Sequence, residues 1–64
     1  MFTPGKKYKH RNFIDVHFKV VGIEHSTDNG QSLIVHWLNN NDEIISHYDE
    51  IFVKAKDYRS YSIV

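Results

Sequence analysis

Two alternating apolar runs joined by one turn leave this 64-residue chain few ways to fold. The first is Phe13-Ile14-Asp15-Val16-His17-Phe18-Lys19-Val20-Val21-Gly22-Ile23, and the second is Leu33-Ile34-Val35-His36-Trp37-Leu38. Ser26-Thr27-Asp28-Asn29-Gly30 lies between them. Ile14, Val16, Phe18 and Val20 share one face of a strand, and Asp15, His17 and Lys19 share the other. A period of two is that of a half-buried strand. At Val20-Val21-Gly22 the phase changes, which predicts a bulge or sharp bend. Asp28-Asn29-Gly30 predicts a hairpin, because Asn and Gly accept positive φ. A three-residue loop at 28–30 sets Val21 opposite Trp37 and Ile23 opposite Val35. A two-residue loop at Asn29-Gly30 mixes faces, so the first register is expected.

The second run alternates Leu33, Val35 and Trp37 with Ile34, His36 and Leu38. Asn39-Asn40-Asn41-Asp42 is the next turn. With Asn40-Asn41 central, Trp37 faces Ile44, Val35 faces Ser46 and Leu33 faces Tyr48. The reverse face then carries Ile34, His36, Leu38, Ile45 and His47, more apolar than an ordinary solvent face. Asp49-Glu50-Ile51-Phe52 reads as a short helical turn with Asp49 as a cap, and Ile51 and Phe52 plug one end of the core. Pro4-Gly5 is a turn. Tyr8 is the inward residue of a short edge segment, and Tyr61-Ser62-Ile63-Val64 has strand character and can pair beside it. The expected architecture is one domain over residues 1–64: all-β, a small barrel of four or five antiparallel strands with one short helical turn near residues 49–52.

A chain of this length buries only about 60% of its unfolded surface, so its core must be well packed. It has no cysteine, which excludes disulfides and thiolate zinc sites. Formal charge is zero but unevenly spread. Residues 1–20 net +4, residues 21–53 net −6 and residues 54–64 net +2. Basic ends balancing an acidic middle are the expectation, since a neutral domain lacks the field of a typical nucleic-acid binder. No apolar run is long enough to span a bilayer, and Met1 to Lys7 lacks the apolar core of a signal peptide. A soluble, cytoplasmic protein without membrane contact is expected.

A search for chemistry yields no catalytic residue. No serine stands in a Gly-x-Ser-x-Gly elbow. Asp42-Glu43 and Asp49-Glu50 adjoin turns, where solvated carboxylates are ordinary. Three glycines make no phosphate-cradling loop. The chain is therefore expected not to be an enzyme and to need no cofactor. His10, His17, His25, His36 and His47 include no pair at helical metal-binding spacing, so no metal site is assigned. Tyr8, Phe18, Trp37, Tyr48 and Phe52 could cage a cation, but in so short a chain large rings are first the core.

Pro4-Gly5-Lys6-Lys7-Tyr8-Lys9-His10 and Phe18-Lys19-Val20-Val21-Gly22-Ile23-Glu24-His25-Ser26 resemble a family of small bacterial and phage domains of unknown function with an SH3-like barrel. Leu33-Ile34-Val35-His36-Trp37 and Ile51-Phe52 look like that family's paired strand and closing aromatic. The likeness spans about residues 4–53. It implies an SH3-like barrel and no reaction. Such barrels commonly bind peptides, partner proteins or nucleic acids, and fold alone does not choose among them. The expected function is a non-catalytic protein-binding module, a small accessory or phage-encoded regulator docking on a larger protein. Its expected contact surface is Ile34, His36, Leu38, Ile45, His47 and Tyr48; self-association through the same strands would also bury that surface. The alternative is RNA or single-stranded DNA binding through Lys6, Lys7, Tyr8, Lys9 and Arg11, where cations interleave with a ring.

Overall fold

A computed structural model describes all residues from Met1 to Val64. Five strands form one antiparallel sheet: β1 (Lys7–His10), β2 (His17–Thr27), β3 (Gly30–Leu38), β4 (Ile44–Lys54) and β5 (Tyr61–Ile63). Their order across the sheet is β4-β3-β2-β1-β5, with a 3-10 helix, η1 (Ala55–Ser60), before the last strand. The chain is thus all-β, with the expected strand number and one short helical segment. The two edge strands, β4 and β5, do not pair, so the sheet does not close into a ring. The tail pairs beside the N-terminal segment as the sequence suggests, with Tyr8 opposite Ile63 and His10 opposite Tyr61.

Inner-face positions supply the core. Phe2, Tyr8, Phe18, Val20, Leu33, Val35 and Val53 form one buried cluster. Val16, Ile23, Trp37, Ile51, Tyr58 and Tyr61 pack against it, half-buried. Trp37 meets Phe18 edge-on at 5.6 Å between ring centres, a favoured geometry for aromatic pairs. Its indole N–H donates to Asp49 Oδ2 at 2.7 Å, so the polar end of the ring reaches the sheet margin.

Several expectations are corrected. β2 begins at His17, and residues 13–16 form a turn in which Val16 N–H donates to Phe13 O at 3.1 Å. Ile14, expected inward, is 80% exposed. The first hairpin turns through Asp28-Asn29 alone, with Thr27 opposite Gly30. Phe18 then faces Trp37, Val20 faces Val35 and Ile23 faces Leu33. Irregularities between Val20 and Gly22 and between Ile23 and His25 absorb the phase change. The pattern does indicate a bulge near Gly22; the shorter turn and the two bulges together set the register. Each bulge adds one unpaired residue and bends the strand.

The second hairpin turns through residues 39–43, because Asn39 organises a longer loop. Asn39 Oδ1 accepts from the N–H groups of Asn41 (2.9 Å) and Glu43 (3.0 Å). Asp42 completes the loop in left-handed backbone, φ +63°, which Asp tolerates better than most residues. Leu38 then faces Ile44, Trp37 faces Ser46 and Val35 faces Asp49. Residues 49–52 are strand, not helix. Pairing Val35, Ile34, Leu33 and Ser32 with Asp49 to Phe52 satisfies backbone groups that one helical turn would leave open, and Asp49 holds the Trp37 indole rather than capping a helix. The helical segment lies further on, at Ala55–Ser60. Ile51 does pack on the core, but Phe52 is 55% exposed and plugs nothing.

Candidate functional site

Antiparallel partners share a face, so the ladders fix what the outer side of the sheet presents. Lys7 opposes Lys19, and Lys19 opposes His36. Opposite His36, β4 carries two residues where one would fit. Val35 pairs with Asp49 and Trp37 with Ser46, leaving His47 and Tyr48 to share the His36 position. Tyr48 occupies left-handed backbone, φ +50°, an outlier for a bulky residue. Its N–H donates to His36 Nδ1 at 3.1 Å, which places the proton of a neutral His36 on Nε2. The rings meet edge-on, 4.6 Å between His36 and Tyr48 and 5.0 Å between His36 and His47. Tyr48 and Ile45 are each 67% exposed.

The six expected contact residues divide. His36, His47 and Tyr48 form one ring cluster on the outer face. Ile34 lies one row away between Gly22 and Glu50, half-buried. Ile45 stands at the end of β4, lining a cavity of about 310 Å³ with Ile14, Leu38 and Asn40. Leu38 does not belong to the contact surface, because it is buried. The 39–43 loop folds back over that end of the outer face. The same loop buries His17, expected on the solvent side, to 1% exposure. His17 Nδ1 lies 3.0 Å from Asn39 O. Nε2 lies 3.2 Å from Asp42 Oδ1 without a well-aligned hydrogen bond. Asp42 Oδ2 also takes Lys7 Nζ at 3.4 Å, tying the loop to β1.

The expected nucleic-acid set is scattered. Lys6, Lys9 and Arg11 are exposed, while Lys7 is engaged by Asp42. Tyr8 cannot stack a base: it is buried, and its hydroxyl accepts the Thr3 N–H at 2.8 Å. Lys19, absent from that set, belongs with Lys7 on the outer face. The alternation of His17 and Lys19 with Phe18 and Val20 was the signal for it. No three His, Asp or Glu side chains converge as a metal would require.

One electrostatic feature borders the face. Protonated Glu50 donates a hydrogen bond to the Glu24 carboxylate, and repulsion between the two carboxylates adds to it, so the Glu50 carboxyl is held above its ordinary value; Asp49 adds to this and His25 opposes it. The folded state therefore keeps the Glu50 proton to higher pH than the unfolded chain does. That contribution is present below the ordinary carboxylate range and lost as pH rises through Glu50's raised value. Glu24→Gln removes the like charge. Its urea midpoint is expected to exceed the wild type's at pH 7, and the gap to shrink as pH falls through the carboxylate range. A gap independent of pH would contradict this.

The arrangement defines a small all-β domain with one outer sheet face carrying rings and cations. No family model, curated protein or solved structure matches the chain. No helix is long and apolar enough to cross a membrane.

Proposed function

We propose that this protein is a non-catalytic protein-binding module, a small cytoplasmic accessory or phage-encoded regulator that docks on a larger protein. It docks through the outer face of β3 and β4, using Ile34, His36, Ile45, His47 and Tyr48. The observation that supports this is Tyr48: a large ring, two-thirds exposed, carried on left-handed backbone beside two histidines. Left-handed backbone costs an ordinary residue about 1–2 kcal/mol. Strain of this kind tends to persist where a side chain must be presented rather than packed.

Tyr48→Gly separates the two roles. It relieves the backbone and removes the ring, so the urea-derived stability is expected to rise by about 1 kcal/mol while partner capture falls. Capture is measured by passing native lysate over immobilised wild type, Tyr48→Gly and Ile45→Asp, followed by mass spectrometry. A protein held by the wild type and lost from both variants, with dispersed amide spectra throughout, is the expected result. Equal capture by all three would overturn the proposal.

A second reading is supported by one observation: Lys7, Lys19 and His36 lie in a single row across β1, β2 and β3, ending at the Tyr48 ring. A cationic row ending in a stackable ring suits single-stranded nucleic acid. Titration of labelled RNA and single-stranded DNA at two salt concentrations tests it. Salt-sensitive binding weakened by Lys19→Ala supports this reading, and no binding at low salt rejects it.

A further inference from the structure

His36 is held as a hydrogen-bond donor. Its Nδ1 accepts the Tyr48 N–H at 3.1 Å, so the proton of the neutral ring sits on Nε2. His36 is half-buried, and its Nε2–H has no acceptor within the chain and reaches solvent. Lys19 lies directly opposite His36, where cross-strand side chains start about 5 Å apart. It is exposed and forms no ion pair. Lys7, next in the row, is taken by Asp42 at 3.4 Å. The carboxylates that border the row are also engaged. Asp49 accepts from the Trp37 indole, and Glu50 lies against Glu24. One free ammonium and one fixed N–H donor thus stand side by side, with the Tyr48 ring 4.6 Å from the imidazole. We propose that the docking partner presents a carboxylate, from an Asp or Glu flanked by apolar residues, to Lys19 and His36, which makes this pair the specificity determinant of the face. This rests on the docking reading above and names the chemistry of its partner.

A carboxylate matches the pair because its two oxygens accept from the ammonium and from Nε2–H at once. Hydrogen bonds between ionised groups are about twice as strong as neutral ones. A side-chain amide could also accept, but it leaves the ammonium without a counter-charge. Apolar neighbours of the acid have surface to meet: Ile34 lies one row away, half-buried, and Tyr48 is 67% exposed. A nucleic-acid strand is the less complementary occupant. Its affinity comes from several phosphate contacts, and this row offers one free ammonium. Residues 21–53 net −6, which repels a chain of phosphates more than a single carboxylate.

Random peptides displayed on phage are selected on purified, immobilised wild type, Lys19→Glu and Lys56→Glu. Both lysines are exposed, so all three proteins should keep dispersed amide spectra. Wild type and Lys56→Glu are expected to enrich peptides carrying an Asp or Glu among apolar residues, and Lys19→Glu to lose them. An enriched peptide titrated into isotope-labelled wild type should shift the signals of Lys19, His36 and Tyr48. It should bind at least about tenfold less tightly once its carboxylate is replaced by an amide. Long-range proton–nitrogen spectra should place the His36 proton on Nε2. A proton on Nδ1 would overturn the proposal, as would acidic peptides lost equally from both lysine variants. Peptides enriched without an acidic residue, and lost from Tyr48→Gly, would overturn it while leaving the docking reading standing. Enrichment of no peptide overturns it too, as does single-stranded DNA binding that Lys19→Ala weakens in the absence of any acidic peptide; lysate capture then decides the docking reading separately.

Discussion

Phe2→Ala is expected to lower the urea midpoint more than any other single truncation to alanine in the core, by removing about 3–5 kcal/mol of stability. Phe2 is buried, and its ring meets Tyr8 at 4.8 Å, Tyr61 at 5.3 Å, Tyr58 at 5.5 Å and Phe18 at 6.0 Å. It joins β1, η1 and β5 to the rest of the core. Its backbone N–H donates to the buried Gln31 Oε1 at 2.8 Å, which fixes the N-terminal segment over β3. Removing a buried phenyl ring costs about 3–5 kcal/mol. At about 0.05–0.15 kcal/mol per residue, a domain of this size has a total stability of roughly 3–10 kcal/mol. The loss is thus a large part of the whole. Urea unfolding followed by tryptophan fluorescence, which reads Trp37 alone, is the measurement. Phe13→Ala, on an exposed ring, should change the midpoint little. Equal midpoints for Phe2→Ala and wild type would show that the N-terminal segment does not complete the core.

Gly30→Ala is expected to cost about 2–4 kcal/mol, combining backbone strain with overpacking. Gly30 has φ +153°, a conformation side chains rarely adopt. A Cβ there would run into the carbonyl oxygen of Val53 and come within 2.7 Å of Phe52 Cζ and 3.0 Å of Lys54 Cα. Two of these three neighbours are backbone, so relief would require β4 to move away from β3 at the start of their ladder. Gly22→Ala is the control, because nothing lies within 4 Å of its would-be Cβ and its φ is ordinary. Denaturant midpoints for both variants decide the matter. Similar destabilisation by the two would mean that β3 and β4 approach less closely at Gly30.

The alternation around Phe18 and Val35 was legible because the strand period reports burial directly, and those residues lie on the core face. Register was less legible. It depends on bulges, and a bulge leaves only a local phase change such as Val20-Val21-Gly22; the one opposite His36 falls in Ile45-Ser46-His47-Tyr48, where no glycine marks it. Leu38 and His17 were misplaced for a common reason. Both lie on outer-face positions, and a loop 39–43 folded over them decides their burial. No pattern within a strand reports what a distant loop covers. Phe2 and Gln31 went unassigned because their burial depends on each other across 29 positions. The His36, His47 and Tyr48 rings meet although the expected register set Tyr48 opposite Leu33, because hairpin partners stay near one another even when the register slips. Leu38 drops out of the contact surface, and Tyr8 drops out as a base-stacking ring, because its alternation places it inward.

The β3–β4 ladder carries the exposed face, so its register is the central claim. Cross-strand nuclear Overhauser contacts on the isotope-labelled protein test it most directly. Contacts of Val35 with Asp49 and of Trp37 with Ser46 are predicted, with His47 and Tyr48 both close to His36. Contacts of Trp37 with Ile44 and of Val35 with Ser46, together with helical contacts across residues 49–52, would contradict it.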